Sequence, residues 1–342
     1  MIQNRPMSSS AKKVLVGVGA LVLVSVFILG GWEIALRITA PQPEPSRPDF
    51  ERLNPDVAAG TRRVLLVGDS FVEGVGVSPL QRIGPRVEHY LDAQEPATVL
   101  AVGQPGAGQA AELQAIEHYL SRWRPEVVVL VFLPANDVMN NSFELEPKKD
   151  KLFYHLVDGR LVLKPGVAAP REDGGSLRVV GEIRRRLGFA RQKQELIDAG
   201  EGVPLDFWVY ATNETPPWQE AWHVTYALLD RIRERVEAGG AQLVIAVVGE
   251  RWRVDAAAFL ELLARYPEMQ KHAWDTARPA KRITQWCADH GVACVDLGPS
   301  FAALNAGHLF LPDGHWSAAG HELAALQVAR ALHSEHERET GE

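Results

Sequence analysis

The stretch RVLLVGDSFVEGVG, residues 63–76, decides the fold. Four consecutive apolar residues, Val64, Leu65, Leu66 and Val67, end abruptly at Gly68-Asp69-Ser70. A short apolar run closed by turn residues predicts a buried strand that delivers a serine at a tight strand-to-helix turn. In an open α/β sheet, ligands bind beyond the carboxyl ends of the strands. A serine there meets substrate while its backbone is held rigid. Gly-Asp-Ser alone is also an ordinary helix start, so the reading depends on partners elsewhere in the chain.

Working outward, residues 98–102 read as a second strand, running into GQPGAG at 103–108 and then into helical periodicity over 110–123. Gly103 and Gly108 have the separation of a phosphate loop. However, Gln109-Ala110 stands where Lys followed by Ser or Thr is required, which rejects phosphate binding. Residues 127–132, VVVLVF, are apolar without alternation, as expected of a strand buried on both faces of a parallel sheet. They end in Pro134-Ala135-Asn136-Asp137. Helical patterns over 79–92, 218–238, 256–265, 279–290 and 318–332, with strands over 242–248 and 292–296, extend the alternation. That alternation predicts an α/β fold with a doubly wound parallel sheet. Residues from about 140 to 215 interrupt it and read as an insertion beside the active face. Within them, two short alternating runs around Asp158-Gly159 predict a hairpin. Residues 176–199 read as a basic amphipathic helix, with Arg184, Arg185 and Arg186 on a solvated face.

The chain has 342 residues, 46% of them hydrophobic, and a formal net charge of −7. That balance argues against nucleic acid, which wants clustered Lys and Arg. With only two cysteines, Cys287 and Cys294, no disulfide framework holds the fold, and two buried thiols are the preferred reading over a single disulfide. Residues 14–32 carry no charge, and at ~1.5 Å per residue they match a bilayer core of ~30 Å. Arg5, Lys12 and Lys13 precede them, which by the positive-inside rule keeps the N-terminus cytoplasmic and sends the rest across the membrane. A cleaved signal peptide is the competing reading. It is disfavoured because the run exceeds the ~7–15 apolar residues usual there and no clear small-x-small site follows. Five prolines within residues 40–57 make a semi-extended spacer. The expected organisation is therefore a cytoplasmic segment 1–13, a transmembrane anchor 14–36, a proline-rich linker 37–61, a catalytic domain 62–335 and a tail 336–342. The catalytic domain then lies in the periplasm or outside the cell, where nucleotide cofactors are scarce.

Serine is a poor nucleophile until a base takes its proton. Among eleven histidines, His315 lies on a turn before the last helix with Asp313 two residues upstream, so that the carboxylate can orient the imidazole. Acyl chemistry also puts negative charge on the carbonyl oxygen, and donors must already point there. The N–H of Ser70, the N–H of Gly106 and the side-chain amide of Asn136 each follow a predicted strand, hence share one edge of the sheet.

These four stretches resemble the SGNH (GDSL) hydrolase family, over residues from about 62 to 332. Gly68-Asp69-Ser70 is similar to the nucleophile block, Gln104-Pro105-Gly106 to the glycine block, with Gly103 the less favoured donor, Asn136-Asp137 to the asparagine block, and Asp313 with His315 to the acid–base block. The resemblance implies a flavodoxin-like three-layer α/β/α fold, serine esterase chemistry with neither metal nor cofactor, and a three-donor oxyanion hole of Ser70, Gly106 and Asn136. There are two departures. Pro134 replaces the glycine usual two residues before the asparagine, and Asp313 lies two rather than three residues before His315. The Asp-x-His-Trp-Ser form is similar to periplasmic, membrane-associated relatives that O-acetylate exopolysaccharides such as alginate.

The leading expectation is a membrane-anchored serine esterase acting on acyl, chiefly acetyl, esters of a carbohydrate or cell-surface substrate, with Ser70, His315 and Asp313 catalytic. One alternative is an O-acyltransferase using the same acyl-enzyme, with a membrane acyl-donor partner. Another is a non-catalytic surface-binding scaffold, since fold does not fix function.

Overall fold

In the computed structural model, which describes residues 60–149, 151–164, 201–304 and 306–340, the opening apolar run forms β1 (Arg62–Gly68). It passes at once into a single-turn helix α1 (Ser70–Glu73). Next come α2 (Ile83–Asp92), β2 (Ala97–Gly103), α3 (Gln109–Trp123), β3 (Val127–Phe132) and α4 (Pro134–Asn141). The hairpin β4 (Phe153–Val157) and β5 (Arg160–Lys164) and a 3₁₀ turn (Leu205–Tyr210) precede α5 (Pro216–Ala238) and β6 (Gln242–Val247). The chain continues through α6 (Arg251–Val254), α7 (Ala256–Arg265), α8 (Arg278–His290), β7 (Ala293–Asp296), α9 (Gly298–Ala302) and α10 (Ala318–Thr340). All the described residues belong to one compact unit.

Five parallel strands lie side by side in the order β2-β1-β3-β6-β7. Counted by themselves they run 2-1-3-4-5, the flavodoxin-like order, which reverses between β1 and β3. The crevice beyond the carboxyl ends of those two strands is where such a sheet receives a ligand. Every residue of β3 is buried because both sheet faces are covered. Val128, Leu130 and Phe132 face one cluster with Leu113, Ile116 and Trp222 of α3 and α5, whereas Val127, Val129 and Val131 face the other, with Ile83, Val87 and Val328 of α2 and α10. Each such side chain contributes roughly 1.5–3 kcal/mol, which is what makes this central strand a fixed platform for the turns at its end.

Two local features bear on the site. The sequence places Asn136-Asp137 on a turn, whereas the structure puts both in the first turn of α4. Pro134 starts that helix, where its missing N–H costs nothing and its fixed φ is already helical, and the Asp137 carboxylate accepts the Leu133 N–H at 2.9 Å. The second feature is the abutment of α1 on β2. A Cβ on Gly103 would lie 2.0 Å from the backbone nitrogen of Glu73. Gly103→Ala is therefore expected to lower stability by about 1–3 kcal/mol through backbone displacement. Urea melts monitored by tryptophan fluorescence check this, and an unchanged midpoint would mean that α1 yields freely.

The hairpin forms as the sequence predicts: Asp158 and Gly159 both adopt left-handed φ, 49° and 74°, as a two-residue type I′ turn requires. The basic helix expected over 176–199, the anchor 14–36 and nearly all of the linker 37–61 lie outside the described residues. Among the described residues no helix is long and apolar enough to cross a membrane.

Candidate active site

Ser70 is the first residue of α1, directly beyond β1. Asp69 caps that helix, its Oδ1 accepting the Phe71 N–H at 2.9 Å. Asp69 Oδ2 lies 3.4 Å from both Ser70 Oγ and Asn136 Nδ2, so one buried oxygen ties the β1 turn to the β3 turn. Burial raises the Asp69 pKa above its ordinary value, against the hydrogen bonds and the nearby His315 that lower it.

His315 arrives from the far end of the chain. Phe310 and Trp316 bridge across a short loop in which the Leu311 N–H donates to the His315 carbonyl at 2.7 Å. Gly314, at φ 95°, supplies the left-handed turn between them. Trp316 is fully buried against Phe301 and meets Phe71 edge-on at 4.8 Å. Phe71 also packs on the imidazole at 5.3 Å between ring centroids, so the residue after the serine sets the ring's position. His315 Nε2 sits 2.9 Å from Ser70 Oγ. On the other side, Nδ1 lies 3.2 Å from Asp313 Oδ2 but outside hydrogen-bond alignment. Asp313 Oδ1 accepts the His315 backbone N–H at 3.1 Å. Its side chain is 57% exposed.

Gly106 occupies the turn after β2 at φ 71°. Its carbonyl accepts from Asn140 Nδ2 at 3.2 Å and from Lys151 Nζ at 2.8 Å. The turn is thus tied to α4, the helix that also carries Asn136 four residues earlier and hence on the same face. Gly103 pairs with Gly68 within the sheet and is a packing residue. The structure brings Ser70, His315, Asp313 and Asn136 into one contact network and places Gly106 on the adjoining turn.

Behind these turns lies a polar network that the sequence reading missed. Gln109, at the start of α3, donates to Glu112 Oε2 at 3.0 Å and to Asp137 Oδ2 at 2.8 Å. Asn141 accepts the Gln109 backbone N–H at 2.9 Å and donates to Thr225 of α5 at 2.9 Å. The residue that excludes a phosphate loop is therefore a fastener between α3 and α4. Burial pushes Glu112 up to about 8, with the Asp69 carboxyl adding to the rise, and it pushes Asp137 well above its ordinary value, with the Glu112 and Asp69 carboxyls adding to that rise. A carboxyl whose pKa is higher folded than unfolded holds its proton better in the native state, so stability falls as pH rises from about 4.5 to about 8. Glu112→Gln keeps an acceptor for Gln109 without ionising. Its stability relative to the wild type is expected to grow across that window by up to about 1.4 kcal/mol per pH unit. Melts at pH 5 and pH 8 check this, and a pH-independent difference would mean that Glu112 does not titrate there.

A serine hydroxyl in contact with an imidazole, at the carboxyl edge of a parallel sheet with amide groups beside it, is the arrangement of an α/β serine hydrolase. The chain belongs to the GDSL-like lipase/acylhydrolase family, whose model matches residues 66–323, and is an SGNH-type hydrolase. It is 32% identical over 159 residues to a protein described as "Probable alginate O-acetylase AlgJ" from Pseudomonas fluorescens; the match covers 43% of this chain and spans only 39% of that relative's length. Among solved structures it is similar to a lipase/acylhydrolase from Enterococcus faecalis, at 16% identity and a TM-score of 0.42, covering 80% of this chain and 97% of that one. A member of the lipolytic G-D-S-L family from Veillonella parvula is similar at 12% identity and a TM-score of 0.42, covering 79% and 97% respectively.

Proposed function

We propose that the protein is a serine esterase cleaving acetyl esters of a carbohydrate or cell-surface substrate, held to a membrane by residues 14–36 with its catalytic domain outside the cytoplasm. The observation that carries the reading is the 2.9 Å contact between His315 Nε2 and Ser70 Oγ. As Ser70 Oγ attacks the ester carbonyl, its proton passes to His315 Nε2. The resulting oxyanion takes hydrogen bonds from the N–H groups of Ser70 and Gly106 and from Asn136 Nδ2. Collapse of this intermediate breaks the C–O bond to the alcohol, which leaves with the proton from the imidazolium. Water then repeats the sequence, freeing acetate and restoring Ser70. Asp313 supports the positive imidazolium by charge and holds the turn through its bond to the His315 N–H.

A second reading is favoured by the match to the alginate O-acetylase and by Asp313-Gly314-His315-Trp316-Ser317: a sugar hydroxyl replaces water, and a membrane partner supplies the acyl group. Hydrolysis and transfer share the acyl-enzyme and differ in which oxygen resolves it. The test uses the fragment from Asp56 with p-nitrophenyl acetate, with and without oligosaccharide acceptors, following acetylated Ser70 by mass spectrometry. Acetyl-Ser70 resolved by water supports the esterase. Faster acetylation of the acceptor than of water supports the transferase. A folded protein that never acylates Ser70 supports the binding scaffold instead.

A further inference from the structure

The first turn of α4 must present Asn136, yet the N–H groups of a helix's first turn have no partner within the helix. The Ala135 N–H finds one 115 residues away, on Glu250 Oε1 at 3.1 Å. Glu250 lies just beyond β6, at the same edge of the sheet, and is 2% exposed. Its Oε1 also accepts from the Tyr210 hydroxyl, at the end of the 3₁₀ turn. Tyr210 in turn accepts the Trp252 indole N–H at 2.9 Å. The ring of Trp252 flanks the acid–base loop: a Cβ on Gly314 would stand 3.6 Å from its Cζ3. Gly314 is the residue between Asp313 and His315. Hydrogen bonds thus run from Trp252, beside the loop of His315, through Tyr210 and Glu250 to the residue before Asn136.

We propose that Glu250 is a positioning residue for the oxyanion donor Asn136, and that Trp252 and Tyr210 brace it against the His315 loop; this rests on the catalytic reading of Ser70, His315 and Asn136 given above. Burial raises Glu250 to about 7, against its bonds to Tyr210 and Ala135 that lower it, so above that pH the carboxylate accepting the helix N-terminal N–H makes a charge-assisted bond aligned with the helix dipole. An interior carboxylate is costly to keep unless its bonds serve it. Here they fix the turn that aims the Asn136 amide. The cation that acts on Glu250 by charge is Arg253, and that guanidinium is engaged by Asp296, at 2.8 Å from Oδ1. Glu250 is therefore available to α4 and is not consumed in that ion pair.

Glu250 acts through Asn136, so losing it costs no more than losing Asn136. Glu250→Ala is expected to lower kcat for p-nitrophenyl acetate about 10–100-fold with KM within about twofold, the size of effect that misplacing a reacting group produces. Glu250→Gln, which keeps an acceptor of the same shape, is expected to return kcat to within about threefold of the wild type. In an Asn136→Ala background the Glu250→Ala loss should vanish, because the donor it aims is gone. Hydrogen exchange at the Ala135 and Asn136 amides, read without substrate, should quicken at least about tenfold in Glu250→Ala. Unchanged exchange in Glu250→Ala overturns the proposal, and so does a kcat loss that persists undiminished in the Asn136→Ala background. Failure of the parent reading is recognised separately, by wild-type protein that never acylates Ser70. Catalytic positioning then falls with it, and faster exchange would mark Glu250 as an anchor of α4 alone.

Discussion

Ser70→Ala and His315→Ala are each expected to lower kcat/KM for p-nitrophenyl acetate by about 10⁴-fold or more, and the double variant by no more than either single one. Nucleophile and base act as a unit. Once Oγ is gone the imidazole has nothing to deprotonate, and once the imidazole is gone Oγ keeps its proton. Asp313→Ala is expected to cost less, about 10–100-fold, for a reason specific to this chain. An orienting carboxylate that is buried and bonded to Nδ1–H locks the tautomer, and its loss is then severe. The Asp313 side chain is more exposed than buried, and its Oδ2, 3.2 Å from Nδ1, lies off the bonding direction. The ring is instead located by Phe71 and by the loop closed between Phe310 and Trp316. Initial rates for the four variants check the ranking, together with near-ultraviolet circular dichroism to confirm that Trp316 stays packed. Asp313→Ala as damaging as His315→Ala would mean that the carboxylate swings into alignment when substrate binds.

The strands were legible because the rule that makes them is local: a fully apolar run such as Val127–Phe132 has no solvent face to turn outward, and it lies in the middle of the sheet. The positions of Ser70 and His315 were legible for a related reason, since each stands on a turn beside a recognisable element. Helix α4 was not. Seven of its eight residues are buried, among them Asp137, Asn140 and Asn141, so polar side chains face the interior and the apolar period that announces a helix is absent. What satisfies them is distant: Asn140 meets the Gly106 carbonyl and Asn141 meets Gln109 and Thr225. Glu250 was silent for the same reason, its partners being 115 and 40 residues away. One signal could have pointed to it, an acidic residue three places beyond the wholly apolar end of a strand whose neighbour leads into Asn136.

Asn136→Ala is expected to lower kcat by about 10²–10³-fold, the cost of removing one preorganised donor from an oxyanion, while KM changes little. The split follows from where charge develops. A ground-state carbonyl gains little from the Asn136 amide, so substrate binding is nearly unaffected, whereas the tetrahedral oxyanion needs it most. Asn136→Asp separates donation from shape. It keeps the volume, replaces the N–H donor by an acceptor, and sets a second carboxyl against Asp69, whose Oδ2 now lies 3.4 Å from the Asn136 nitrogen. Burial already raises the Asp69 pKa, and a like charge beside it raises it further. The Asp variant should therefore be at least as slow as the Ala variant at pH 8 and less stable there than at pH 6, since each carboxyl resists losing its proton in the folded state. Steady-state kinetics with paired melts at the two pH values check this. A variant with unchanged kcat and raised KM would place Asn136 in binding the substrate, and the oxyanion would then rest on the backbone N–H groups of Ser70 and Gly106 alone.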